Sequence, residues 1–214
     1  MPAAPVSAKL PADTNTIETL TPEQARKLVD EFPTFTRQGT TTMPSLLPLK
    51  GLKALDAETA KALAAFKGLG LDLSGLTTLD ADSARAVAML ESDFRDPANR
   101  PCEQLLLNGL TTLDADVASA LAAFKGYTLQ LDGLTTLDAT SAKALAKFCG
   151  ENLVLNGLTT LDADVASALA AFKGDWLELN GLTTLDATSA EALAKFRGEN
   201  LVLDGLTTLD ATAA

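Results

Sequence analysis

Two hydrophobic periodicities alternate along most of this chain. A short run with leucine at every second position, such as Leu129–Gln130–Leu131, leads into Gly-Leu-Thr-Thr-Leu-Asp and then into an alanine-rich stretch, VASALAAF in its clearest form. The same order recurs around Leu153–Val154–Leu155, Leu177–Glu178–Leu179 and Leu201–Val202–Leu203. Period two predicts a strand whose leucines share one face while the residue between them takes the other. The alanine-rich stretch carries its apolar residues at helical spacing. Each unit therefore predicts one strand and one helix.

Glycines mark the repeat. Gly109, Gly133, Gly157, Gly181 and Gly205 are spaced by 24 residues, Gly51 and Gly75 share that step, and a step of 34 separates Gly75 from Gly109. A degenerate copy, TIETLTPEQARKLVDEF, precedes them with Thr16 at the glycine position. In that copy Thr21 predicts an N-cap, Pro22 the first helical residue and Gln24 the partner of a capping box. Alignment of the copies puts Asp80, Asp114, Asp138, Asp162 and Asp186 at the same cap, where a carboxylate meets free N–H groups and the helix dipole. Gly126, Gly150, Gly174 and Gly198 are expected to stop the helices in a left-handed conformation, leaving about three turns in each.

One unit buries too few side chains to offset the entropy of ordering it, so the units must stack. The expected fold class is α/β: a single right-handed repeat solenoid with a parallel sheet on its concave face and short helices on its convex face. Strands pair at about 4.8 Å whereas helices need nearer 10 Å, which curves the array with its strands inside. An alternative ββα unit arises because Asn-Gly and Asp-Gly favour hairpin turns, making LTTL a second strand. The expected organisation is a flexible tail at 1–15 and a solenoid at 16–214. The degenerate repeat takes 16–45, and insertions fall near 33–45 and 91–101.

The pattern LxLxxLxxL followed by an alanine-rich helix resembles bacterial leucine-rich repeats over roughly residues 16–214. It departs from the common family motif, whose asparagine site is held here by Leu134, Leu158 or Leu182, so the family's asparagine ladder is not carried over. The resemblance implies a protein-binding horseshoe and no particular ligand.

Composition narrows the function. A formal charge of -11 argues against nucleic acid and anionic membrane as partners. No apolar run is long enough for a membrane span, and the opening residues lack the basic start and apolar run of a signal peptide. With the two cysteines, Cys102 and Cys149, at unrelated repeat positions, a reducing cytoplasmic setting is expected. There is no histidine, hence none of the usual general base, nucleophile pairs or commonest metal ligand. The D-x-D pairs Asp114/Asp116 and Asp162/Asp164 match no calcium loop, and capping accounts for them. No catalytic residue, metal site or cofactor is expected.

Residues 109–156 and 157–204 differ at seven positions: Tyr127/Asp175, Thr128/Trp176, Gln130/Glu178, Asp132/Asn180, Lys143/Glu191, Cys149/Arg197 and Asn156/Asp204. Five lie in or beside the strands on outward positions. Surface drift accounts for this; so does a concave face differentiated for binding, with Leu106, Gln130, Val154, Trp176, Glu178 and Val202 as the candidate contacts. Trp176, the single tryptophan, would stand between the strands carrying Val154 and Val202 as an exposed anchor. Phe94, Arg95 and Arg100 in the second insertion are further candidates. The expected function is a non-catalytic scaffold binding a protein partner. The alternative is self-association, a homodimer through the leucines of the open C-terminal end: Leu201, Leu203, Leu206 and Leu209.

Overall fold

The computed structural model describes residues 13–32, 35–37, 40–43, 46–90 and 103–210. It is an α/β repeat in which strands and helices alternate along the chain. After a 3-10 turn at Thr14–Thr16 come α1 (Pro22–Glu31), β1 (Phe35–Arg37), β2 (Thr40–Met43), β3 (Leu46–Pro48), α2 (Ala57–Leu63), β4 (Gly70–Asp72) and α3 (Ala81–Val87). Then follow β5 (Gln104–Leu106), α4 (Ala115–Leu121), β6 (Thr128–Gln130), α5 (Ala139–Leu145), β7 (Asn152–Val154) and α6 (Ala163–Leu169). The chain closes with β8 (Trp176–Glu178), β9 (Thr184–Asp186), α7 (Ala187–Leu193), β10 (Asn200–Val202) and β11 (Thr208–Asp210). Among the described residues, no helix is long and apolar enough to cross a membrane.

Seven strands form one parallel sheet in the order β3-β4-β5-β6-β7-β8-β10, each unit pairing with the next. The middle residues Leu71, Leu105, Leu129, Leu153 and Leu177 lie side by side and are fully buried. Each strand begins one residue earlier than the leucine alternation suggests, at Thr128 rather than Leu129, because Thr128 N–H already bonds to the preceding unit at Glu103 O. The Leu-Thr-Thr-Leu segment also turns extended in the last two units, where β9 and β11 pair in parallel. It pairs with the neighbouring unit, not back on its own strand as a hairpin would.

The caps form as expected. Thr21 and Gln24 make a reciprocal capping box, and the Asp80, Asp114, Asp138, Asp162 and Asp186 carboxylates accept from N–H groups of the first turn, as does Asp56. The other helix end departs from expectation. α2 to α7 are seven residues long, about two turns. Each closes on an alanine in right-handed helical geometry, and a tighter bond such as Phe124 N–H to Leu121 O at 3.0 Å then turns the phenylalanine inward. Gly126, Gly150, Gly174 and Gly198 are not left-handed; the one described positive-φ glycine is Gly70, at 143°. Their requirement is space: a Cβ on Gly126 would stand 2.1 Å from Phe124 Cζ and 2.7 Å from Glu103 O.

That packing builds a column of rings. Phe124, Phe148, Phe172 and Phe196 stack nearly parallel at 6.1, 6.0 and 6.3 Å between centroids. This is wider than the ~4.8 Å between hydrogen-bonded strands, so the units fan with the sheet on the tighter side. One continuous core runs through the stack, with Ala118, Ala142 and Ala166 fully buried between helices.

The 3-10 turn joins this stack. Thr14 is buried with its hydroxyl donating to Pro48 O, and Asn15 Oδ1 accepts from Lys50 N–H. Residues 13–15, inside the stretch expected to be a tail, are therefore part of the packed stack; residues 1–12 lie outside the described part. So does the insertion at 91–101, with Phe94, Arg95 and Arg100, and so does Cys102. In the other insertion β1 and β2 form an antiparallel pair.

Candidate docking face

Two rows of side chains emerge from the outer face of the sheet. One runs Leu46, Gly70, Gln104, Thr128, Asn152, Trp176, Asn200; the other runs Pro48, Asp72, Leu106, Gln130, Val154, Glu178, Val202. The second row holds all the sequence-designated contacts except Trp176. Leu106, Gln130, Glu178 and Val202 are half-buried, and Val154 is buried at 6% exposure between Gln130 and Glu178.

Trp176 belongs to the first row. Its lateral neighbours are Asn152 and Asn200, 24 residues away on either side, while Val154 and Val202 are in register with Glu178. It is 38% exposed, whereas Thr128 at the equivalent place two units before is 8% exposed. The difference between the two copies therefore replaces a sheltered hydroxyl by a protruding indole.

Polar contacts knit the second row. Lys50 Nζ lies 3.4 Å from the buried Asp72 carboxylate. The Gln130 amide donates to Asp132, and Asn156 Nδ2 donates to Glu178 at 3.4 Å. The differences between copies compensate each other: a neutral Gln130 accompanies an acidic Asp132, and an acidic Glu178 accompanies a neutral Asn180.

Below this row runs a side-chain ladder that the sequence reading missed. Asn108 Oδ1 accepts from Asp132 N–H at 3.0 Å; Asp132, Asn156 and Asn180 each accept in turn from the unit after at 2.9 Å. It occupies the residue before each glycine. The signal was the Asn or Asp found there in unit after unit, which the sequence alone had suggested as hairpin turn chemistry.

At the other end of the strands the turns carry a column of acids. Glu151, Asp175 and Glu199 align in successive units, as the bonds from Trp176 N–H to Glu151 O and from Asn200 N–H to Asp175 O require. They flank the base of Trp176.

On the helix side the N-cap aspartates are engaged in capping. Asp138 is held below the usual carboxylate range by the Ser141 hydroxyl and backbone N–H; Asp80 and Asp56 are lowered first by the backbone N–H groups of Ser83 and Thr59. The hydroxyls of Ser83, Ser141 and Ser189 also reach across to the previous unit, donating to Leu55 O, Leu113 O and Leu161 O at 2.9 to 3.0 Å. Where valine replaces serine, at Val117 and Val165, open clefts of about 410 and 350 Å³ lie between units, the first lined by Leu79, Leu110, Thr112 and Val117. Cys149 is an exposed free thiol. Among the described residues no group of three His, Cys, Asp or Glu could hold a metal ion.

Fold and face together define an α/β repeat solenoid. No protein-family model matches the chain, and no curated protein does.

Proposed function

We propose that this chain is a non-catalytic interaction scaffold of the leucine-rich-repeat kind, docking a protein partner on the outer face of its sheet. The observation that carries the reading is Trp176: a large apolar side chain 38% exposed on a face whose equivalent residue, Thr128, is sheltered. Exposed aromatics ringed by well-packed polar contacts supply much of the binding energy in protein interfaces. Leu106 and Val202 extend the apolar surface along the neighbouring row. The other conspicuous side chains, the repeated aspartates, are occupied in capping helices.

A random peptide display library panned against the purified protein tests this. Peptides retained by the native chain should lose binding to a Leu106→Glu/Val202→Glu variant. They should keep it with an Ala123→Glu/Ala171→Glu variant, which places the same charges at exposed positions on the helix side. Peptides that bind all three forms equally sink the reading, provided the three proteins show the same circular dichroism and melting midpoint.

A further inference from the structure

Trp176 is set among carboxylates. Asp175 precedes it, Glu178 shares its face of β8, and Glu151 and Glu199 occupy the positions of Asp175 in the adjoining units. Asp175 and Glu178 are half-buried and Glu199 is exposed. Among the described residues, Asp175, Glu178 and Glu199 form no ion pair; Glu178 accepts one long hydrogen bond from Asn156. An indole face is electron-rich and attracts a cation laid over it, and carboxylates on the same strand and at the aligned positions of the adjoining units add attraction that salt screens over about 8 to 10 Å. The copy two units before shows the contrast, with Tyr127, Thr128 and Gln130 at the places of Asp175, Trp176 and Glu178. Replacing those three gives this part of the face an aromatic platform and two carboxylates, while Asn180 and Arg197 stand where the earlier copy has Asp132 and Cys149.

We infer that the partner segment seated at Trp176 is basic: an extended peptide that lays an arginine or lysine side chain on the indole and pairs it with Asp175, Glu178 and Glu199. The inference rests on the docking-face reading above and adds the chemistry of the occupant. A guanidinium suits the place better than an ammonium, since it stacks on the ring while its edge donates to a carboxylate.

Trp176 is the only tryptophan of the chain, so its fluorescence reports this position alone. The probes are an alternating Arg-Ser peptide, the matching Gln-Ser peptide and the matching Glu-Ser peptide. The Arg-Ser peptide should change Trp176 emission saturably, with affinity falling as salt is added; the other two should leave it unmoved. An Asp175→Asn/Glu178→Gln/Glu199→Gln variant should bind the Arg-Ser peptide about tenfold more weakly. An Asp116→Asn/Asp164→Asn/Glu191→Gln variant, equal in net charge, should bind like the native chain. Equal affinity for both variants, or binding with no change in Trp176 emission, overturns the basic partner. The docking face itself would stand or fall separately: library peptides that are neutral or acidic, yet lost in the Leu106→Glu/Val202→Glu variant, would keep the face and reject the cation.

Discussion

Asn156 does two jobs with one amide. Its oxygen accepts from Asn180 N–H at 2.9 Å, satisfying backbone where the strand leaves the sheet, and its nitrogen donates to Glu178. Asn156→Ala should cost about 1 kcal/mol through the lost acceptor. Asn156→Asp keeps an acceptor but sets a second carboxylate beside Glu178, so it should fall between native and alanine. Adding Glu178→Gln should recover the remainder, imitating the pairing of Gln130 with Asp132. Denaturant midpoints of the four proteins check the order; an alanine variant as stable as the native chain would contradict it. At this scale the caps were legible, because an aspartate at a fixed offset before a helical pattern has few other uses. The ladder was not: the family motif directs attention to Leu134, while the residue before each glycine reads as turn chemistry. The neighbours of Trp176 were legible too, since the 24-residue step places Asn152 and Asn200 at the equivalent positions of the adjoining units.

The helices α4 to α7 are short because each must end in time to turn a phenylalanine under the next glycine, and α3 turns Leu90 inward in the same place. Glycine after a helix has two physical causes, a left-handed backbone or a close neighbour, and the phenylalanine two residues earlier was the cue for the second. Their serines tie neighbouring units together, and this makes stability depend on acid. Asp138 has a lowered pKa in the folded chain, with Ser141 as the cause. Its stabilisation is therefore fully present above the unfolded carboxylate value, about 3.9, and is lost as pH falls through the lower folded value. Ser141→Ala should be less stable than the native chain at neutral pH, and the gap should narrow once the carboxylate is protonated. A remainder should persist, because the Ser141 hydroxyl still reaches Leu113 O. Urea unfolding at several pH values measures this, and a gap that ignores pH would contradict it.

At the scale of the whole molecule, serine-bearing and valine-bearing helices alternate from α3 to α7, giving that stretch a period of two units, while Thr59 of α2 also donates to the preceding unit at Leu20 O. Stability in such arrays is close to a sum over units and their junctions. Deleting residues 157–180 joins α5 to α7 and lets Ser189 donate to Leu137 O; deleting 133–156 joins α4 to α6 and leaves Leu113 O facing Val165. Both chains lose 24 residues. Each should fold and melt in one transition, with the first more stable by about 1 kcal/mol, the worth of one hydrogen bond across a junction. Equal stability would mean that the serine bridges do not set the junction strength. The repeat, its strand-helix order and its single core were all legible from periodicity, since stacking is the only way such units can bury their leucines. The candidate face was legible as a set of outward residues, and the in-register pairing of the strands arranges them into two rows and an acidic column.

The most direct test of the account is an amide footprint. The protein labelled with nitrogen-15 would be titrated with a peptide selected from the display library, and the shifting backbone resonances mapped. Docking at Trp176 should produce perturbations centred on β7, β8 and β10, strongest around Trp176 and extending along the row of Gln130, Val154, Glu178 and Val202. Perturbations confined to the helix side, or to the clefts at Val117 and Val165, would contradict it and move the binding surface elsewhere on the solenoid.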